Sequence, residues 1–172
     1  MTPTARLLAI AGFALLTAAP AQAHVHGQAS LAVAVDGPTL TLMLDAPADS
    51  LLGFEHAPRT PREREAAVQV KRSLEATAAR FRPAATAGCT PVQARIRSPL
   101  FDAAPAAGSR SDGHADIEAE YTFRCSTPAR LRELRVDLFD AFPRLQRLQV
   151  EVAAPGGQTA ARLTPRQRVV RW

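Results

Sequence analysis

Lysine is almost missing from this chain: Lys71 stands alone, so arginine carries nearly all the positive charge behind a formal net of +5. The arginines are scattered and aromatics make up only 5% of residues. A nucleic-acid surface wants a basic stripe with interleaved rings, and none is present. No apolar run reaches the roughly twenty residues that a spanning helix needs. His-Glu-x-x-His helices, nucleophile motifs, internal repeats and βαβ alternation are all lacking, which argues against the common hydrolases and against a parallel α/β sheet. Only two cysteines, Cys89 and Cys125, and two methionines occur.

The first residues read as a leader. Arg6 gives a positive start, Leu7 to Leu16 a short apolar run, and Ala21-Gln22-Ala23 a small-residue cleavage box. Residues 1–23 are therefore expected to be a secretion signal peptide cleaved after Ala23. The rest, 24–172, is long enough for a single domain, in a bacterial periplasm. An even cysteine count in an exported chain suggests one disulfide, Cys89–Cys125. Two thiolate metal ligands are the competing reading.

Period-two patterns dominate the mature chain. Ser30–Val35 and Thr39–Asp45 flank Asp36-Gly37-Pro38 and predict a β-hairpin. Met43 alternates within it, which reads as core packing. Residues 47–58 predict a proline-punctuated loop with one helical turn. Thr60, Pro61 and Glu63 form the start signal of the one major amphipathic helix. Its stripe is Ala67, Val70, Leu74, Ala78 and Phe81, and Arg82-Pro83 is its stop. Further strands are expected at 92–97, 114–125, 134–139, 148–152, 159–163 and 169–172. Residues 98–113, rich in Ala, Pro, Gly and Ser, predict the least ordered segment. The fold class expected is α+β or mainly β, a largely antiparallel sheet or sandwich.

Chemistry concentrates where histidine meets carboxylate. In the 114–125 strand His114, Asp116, Glu118 and Glu120 share one face, roughly 6–7 Å apart, opposite Ile117, Tyr121 and Phe123. Such a face suits a divalent cation, or is simply a solvated acidic surface. The other histidines, His24, His26 and His56, also sit beside ligand-type groups: the expected free amine at His24, and Glu55. Imidazole with one or two carboxylates is a common zinc shell. A mature start of His24-Val25-His26 also offers Cu(II) or Ni(II) an amine, two amides and a ring.

Three stretches together resemble the ZrgA-type family of periplasmic zinc-uptake proteins: His24-x-His26-Gly27; Pro47-Ala48-x-x-Leu51-Leu52-Gly53-Phe54-Glu55-His56-Ala57-Pro58; and His114-x-Asp116-Ile117-x-Ala119-x-Tyr121-x-Phe123-x-Cys125. The resemblance covers essentially the whole mature chain. It implies a non-enzymatic zinc-binding protein that captures or buffers zinc for an uptake system, with a zinc ABC transporter or its binding protein as partner. Carried onto this sequence, it implies His26, His56 and His114 as ligands, with Asp116, Glu55 or His24 completing the shell. The His-rich insert carried by many relatives is replaced here by Ser98–Gly113, so one compact site is expected rather than a store of many ions. Two other readings stay open: a zinc hydrolase using Glu55 or Glu118 as general base, and a β-rich envelope domain that binds protein rather than metal.

Overall fold

A computed structural model describes residues 26–101 and 115–172. The leader expected at 1–23, His24, His114 and most of the 98–113 segment lie outside those residues.

The architecture is mainly β. In chain order the elements are β1 (Gln28–Asp36), β2 (Thr39–Pro47), α1 (Ala48–Leu52), α2 (Pro61–Glu75), α3 (Thr77–Arg80) and β3 (Phe81–Pro83). They continue with β4 (Cys89–Arg97), β5 (Asp116–Cys125), β6 (Glu133–Val136), α4 (Leu138–Ala141), β7 (Arg147–Ala154), β8 (Gly157–Leu163) and β9 (Val169–Arg171). A six-stranded sheet runs β4-β5-β2-β1-β7-β8, and a three-stranded sheet runs β3-β6-β9. Every described pairing is antiparallel except β1 with β7, which brings Leu31 beside Val150 in parallel.

The expected hairpin forms, with Asp36 paired to Thr39 and Ser30 to Asp45. Alternation then sorts the residues. Leu31, Val33, Leu40, Leu42, Leu44, Ile117, Tyr121, Phe123, Leu148 and Val150 are buried on the inner face of the large sheet. Phe81, Leu134, Val136 and Val170 from the small sheet, Leu138 and Phe139 from α4, and Leu74 from α2 join them in one core. Met43 does not. It is 53% exposed on the opposite, open face, because its neighbours Leu42 and Leu44 take the inward positions of β2.

Helix α2 begins as the sequence predicts, with a full capping box between Thr60 and Glu63. The Arg59 and then the Thr60 amides hold the Glu63 carboxyl below the usual carboxylate range. That contribution to stability is present at neutral pH and is lost as pH falls through the lowered pKa. The helix stops at Glu75 instead of reaching Phe81. Ala78 falls in the separate short helix α3, and Phe81 is buried in β3 opposite Val136, so long-range strand pairing overrides the helical period at Phe81. The strand expected over 134–139 likewise ends at Val136. Leu138 and Phe139 are both buried, which adjacent residues of a one-sided strand cannot achieve but a helical turn can.

Tyr121 packs its ring 4.7 Å from Phe81, linking the two sheets, and its buried hydroxyl has no hydrogen-bond partner among the described residues. Burial pushes the phenol well above its ordinary pKa. A buried, unsatisfied hydroxyl carries a desolvation cost without a compensating bond. Tyr121→Phe should therefore raise stability by about 1 kcal/mol in urea unfolding. A loss of stability would show that the hydroxyl is satisfied after all.

Candidate metal centre

One end of the large sheet gathers the ligand-type groups. His26 and Gly27 lead into β1. The Gly27 amide donates to Ser50 Oγ at 3.0 Å, and the Ser50 hydroxyl donates to the Gln28 carbonyl at 3.1 Å. Ser50 is fully buried, so α1 and the start of β1 are fastened together. The Ala48 amide donates to the Ala115 carbonyl at 2.8 Å, which docks the start of β5 on the start of α1. Gly53 caps α1 at φ 89°, a left-handed conformation that glycine adopts without strain. That turn brings Glu55 back toward His26.

The result is an imidazole between two carboxylates. His26 Nδ1 lies 3.4 Å from Asp49 Oδ2, and Nε2 lies 4.0 Å from Glu55 Oε1. The His26 side chain is 65% exposed, while Asp49 and Glu55 are 19% and 12% exposed. The ring nitrogens face away from each other, so the two carboxylates cannot share one ion with the same ring. Asp49 lies on the Nδ1 side of the ring and Glu55 on the Nε2 side. Around a tetrahedral zinc, neighbouring ligand atoms sit about 3.4 Å apart, given bonds near 2.0–2.2 Å. Among the described residues no three His, Cys, Asp or Glu groups are arranged around a common metal position. The described part of this end thus brings one imidazole near two carboxylates.

The remaining candidates divide. His56 stacks on Phe54 at 5.2 Å, and its Nδ1 lies 3.0 Å from the Ala57 carbonyl. The Nδ1–H tautomer satisfies that contact and frees Nε2 as a ligand. No described hydrogen bond or ion pair joins His56 to His26, and its field falls on Glu63 at the start of α2. Asp116 opens β5 opposite Pro47 and lines a surface cavity of about 520 Å³ with Lys71, Arg97, Phe101 and Glu118. The acidic face of β5 is there, with Asp45 set opposite Glu118, but β4 answers part of it. Arg97 pairs in register with Glu118, and Arg95 Nη1 lies 3.7 Å from Glu120. His24 and His114 lie outside the described residues.

Cys89 and Cys125 are disulfide-bonded directly across β4 and β5, at the far end of β5 from Asp116. They are not metal ligands. Sequence reasoning missed Asp49, although a carboxylate in the first turn of the helix preceding Gly-Phe-Glu-His was a usable signal. It also missed Arg144, whose Nη1 lies 4.0 Å from Asp49 Oδ1. Nothing local marks that arginine.

The family model described as ZrgA family zinc uptake protein matches residues 23–172. No curated protein matches the chain.

Proposed function

The chain belongs to the ZrgA family of zinc uptake proteins, and from that premise we propose that it captures Zn(II) in the periplasm and supplies or buffers it for a zinc ABC transporter or that transporter's binding protein. The observation that carries this reading is the His26 ring lying 3.4 Å from Asp49 at one nitrogen and 4.0 Å from Glu55 at the other. Zinc is cargo here, so the mechanism is affinity and exchange without covalent chemistry. His26 Nε2 and Glu55 form the fixed half of the shell, and His56, His114, Asp116 and His24 are the groups that complete it. Export fits the disulfide, which persists in oxidising compartments. A leader ending at Ala23 fits a family match that begins at residue 23. No helix among the described residues is long and apolar enough to cross a membrane.

Protein starting at His24 should bind about one zinc per chain, in the closed N/O manner of small zinc sites. His26→Ala or Glu55→Gln should lower affinity on the order of 100-fold, and the double change His56→Ala with His114→Ala should do the same. Affinity should fall on acidification, because an imidazole must shed its proton to ligate. Competition with a chromogenic chelator reads all of these. Absence of zinc binding by the parent protein would sink the proposal. Copper bound equally well by the parent and the His56→Ala with His114→Ala protein, but lost in His26→Ala, would point instead to the His24-Val25-His26 terminus.

A further inference from the structure

We infer that the outer edge of β8 is a self-association surface, which pairs with the same strand of a second copy of this chain. The large sheet ends in two edge strands, β4 and β8, and they are finished differently. β4 carries the devices that discourage an added strand. Pro91 lacks an amide, the ladder shifts between Pro91 and Gln93, and Arg95 and Arg97 are exposed. Helices α2 and α3 also lie against it. β8 has none of these. It pairs with β7 from Gly157 to Leu163 without a register shift, contains no proline, and carries one charge, Arg162.

The tight turn at Pro155-Gly156 fixes which backbone groups are left over. Ala154 and Gly157 close the hairpin and exchange both their hydrogen bonds, and the alternation then passes along the ladder. Thr159, Ala161 and Leu163 therefore turn their amides and carbonyls toward β7. Those of Gln158, Ala160 and Arg162 turn outward, where no hydrogen bond among the described residues meets them. All three of these residues are exposed. The edge they form is complementary to itself. A two-fold axis makes the added strand antiparallel. Centred on Ala160, it sets that residue against its own twin and Arg162 against Gln158 of the second copy, so every outward amide and carbonyl is used. The centre is then small and uncharged, and the glutamine oxygen can accept from the guanidinium. Centring on Arg162 would oppose two like charges, and centring on Gln158 would run Ala160 into the turn.

The test is sedimentation equilibrium of protein starting at His24, with a chelator present so that metal cannot bridge two chains. Thermal unfolding of each variant checks the fold. The parent should show a reversible monomer–dimer equilibrium. Ala160→Pro removes an outward amide and leaves the β7 ladder whole, so it should weaken the dimer about tenfold or more while the protein stays folded. Two further variants read the register. Gln158→Glu places a carboxylate opposite Arg162 and should tighten the dimer about threefold, whereas Gln158→Arg should loosen it by a similar factor. Both charge effects should shrink at high salt. A parent that stays monomeric up to high concentration would overturn the inference. So would a dimer indifferent to Ala160→Pro, or a β8 edge that pairs only with a strand of another protein.

Discussion

Asp137→Ala is expected to cost about 3 kcal/mol in urea unfolding, and Asp137→Asn about half of that. Asp137 is buried just beyond β6, and three guanidinium groups converge on it. Arg82 donates through Nε at 2.7 Å and through Nη2 to the same oxygen. Arg135 Nε donates at 3.0 Å, and Arg168 Nη1 lies 3.6 Å away. Arg82 and Arg135 are direct cross-strand partners in the small sheet, so without the carboxylate two like charges face each other. Arg168 also bonds Asp140, which holds that carboxyl below the usual range, but Asp140 is exposed and cannot reach into the place Asp137 occupies. The arginines are partly exposed and rehydrate when released, which keeps the expected cost at the lower end for a buried charge cluster. Asparagine retains one accepting oxygen, hence its smaller effect. An alanine variant within 0.5 kcal/mol of the parent would show that the guanidinium groups simply turn to water.

The second large effect concerns the disulfide. Removing it by Cys89→Ser with Cys125→Ser, or by reduction, should cost about 4 kcal/mol on the chain-entropy account, given a sequence separation of 36. The loss should be uneven. β4 is an edge strand held by β5 alone on its sheet, and its ladder is interrupted by the bulge between Pro91 and Gln93. The amides of β4 should therefore exchange first in the reduced protein, while those of β1 and β2 stay protected. A reduced protein whose midpoint moves by less than 1 kcal/mol would mean that strand pairing and α2 hold β4 without help.

Much of this was legible in the sequence, for reasons that differ by element. The β1–β2 hairpin and the two faces of β5 were readable because a strand with one buried side writes its burial directly as alternation. The start of α2 was readable because Thr60 and Glu63 satisfy their helix end locally. Its end was not, since Phe81 fits a helical stripe and only the partner strand β6, far along the chain, says otherwise. The parallel β1–β7 contact is equally invisible locally. The same division runs through the site. His26 and Glu55 could be named from composition and neighbourhood, whereas only the folded chain brings Asp49 to His26 and Arg144 to Asp49. Met43 went astray by one position in the pleat.

The place of β1 in the sheet has a bearing on how the chain is made. It is the earliest described strand to leave the ribosome, yet it sits in the interior of the six-stranded sheet and needs β7, whose Arg147 pairs with Gln28. The β1–β2 hairpin can form early, but both of its outer edges stay open until β5 and then β7 arrive. Chain order thus makes the middle of this sheet available first and its borders last. A hairpin formed before those strands arrive would present two open borders and no finished core, so the sheet gains from folding only once its C-terminal hairpin is available.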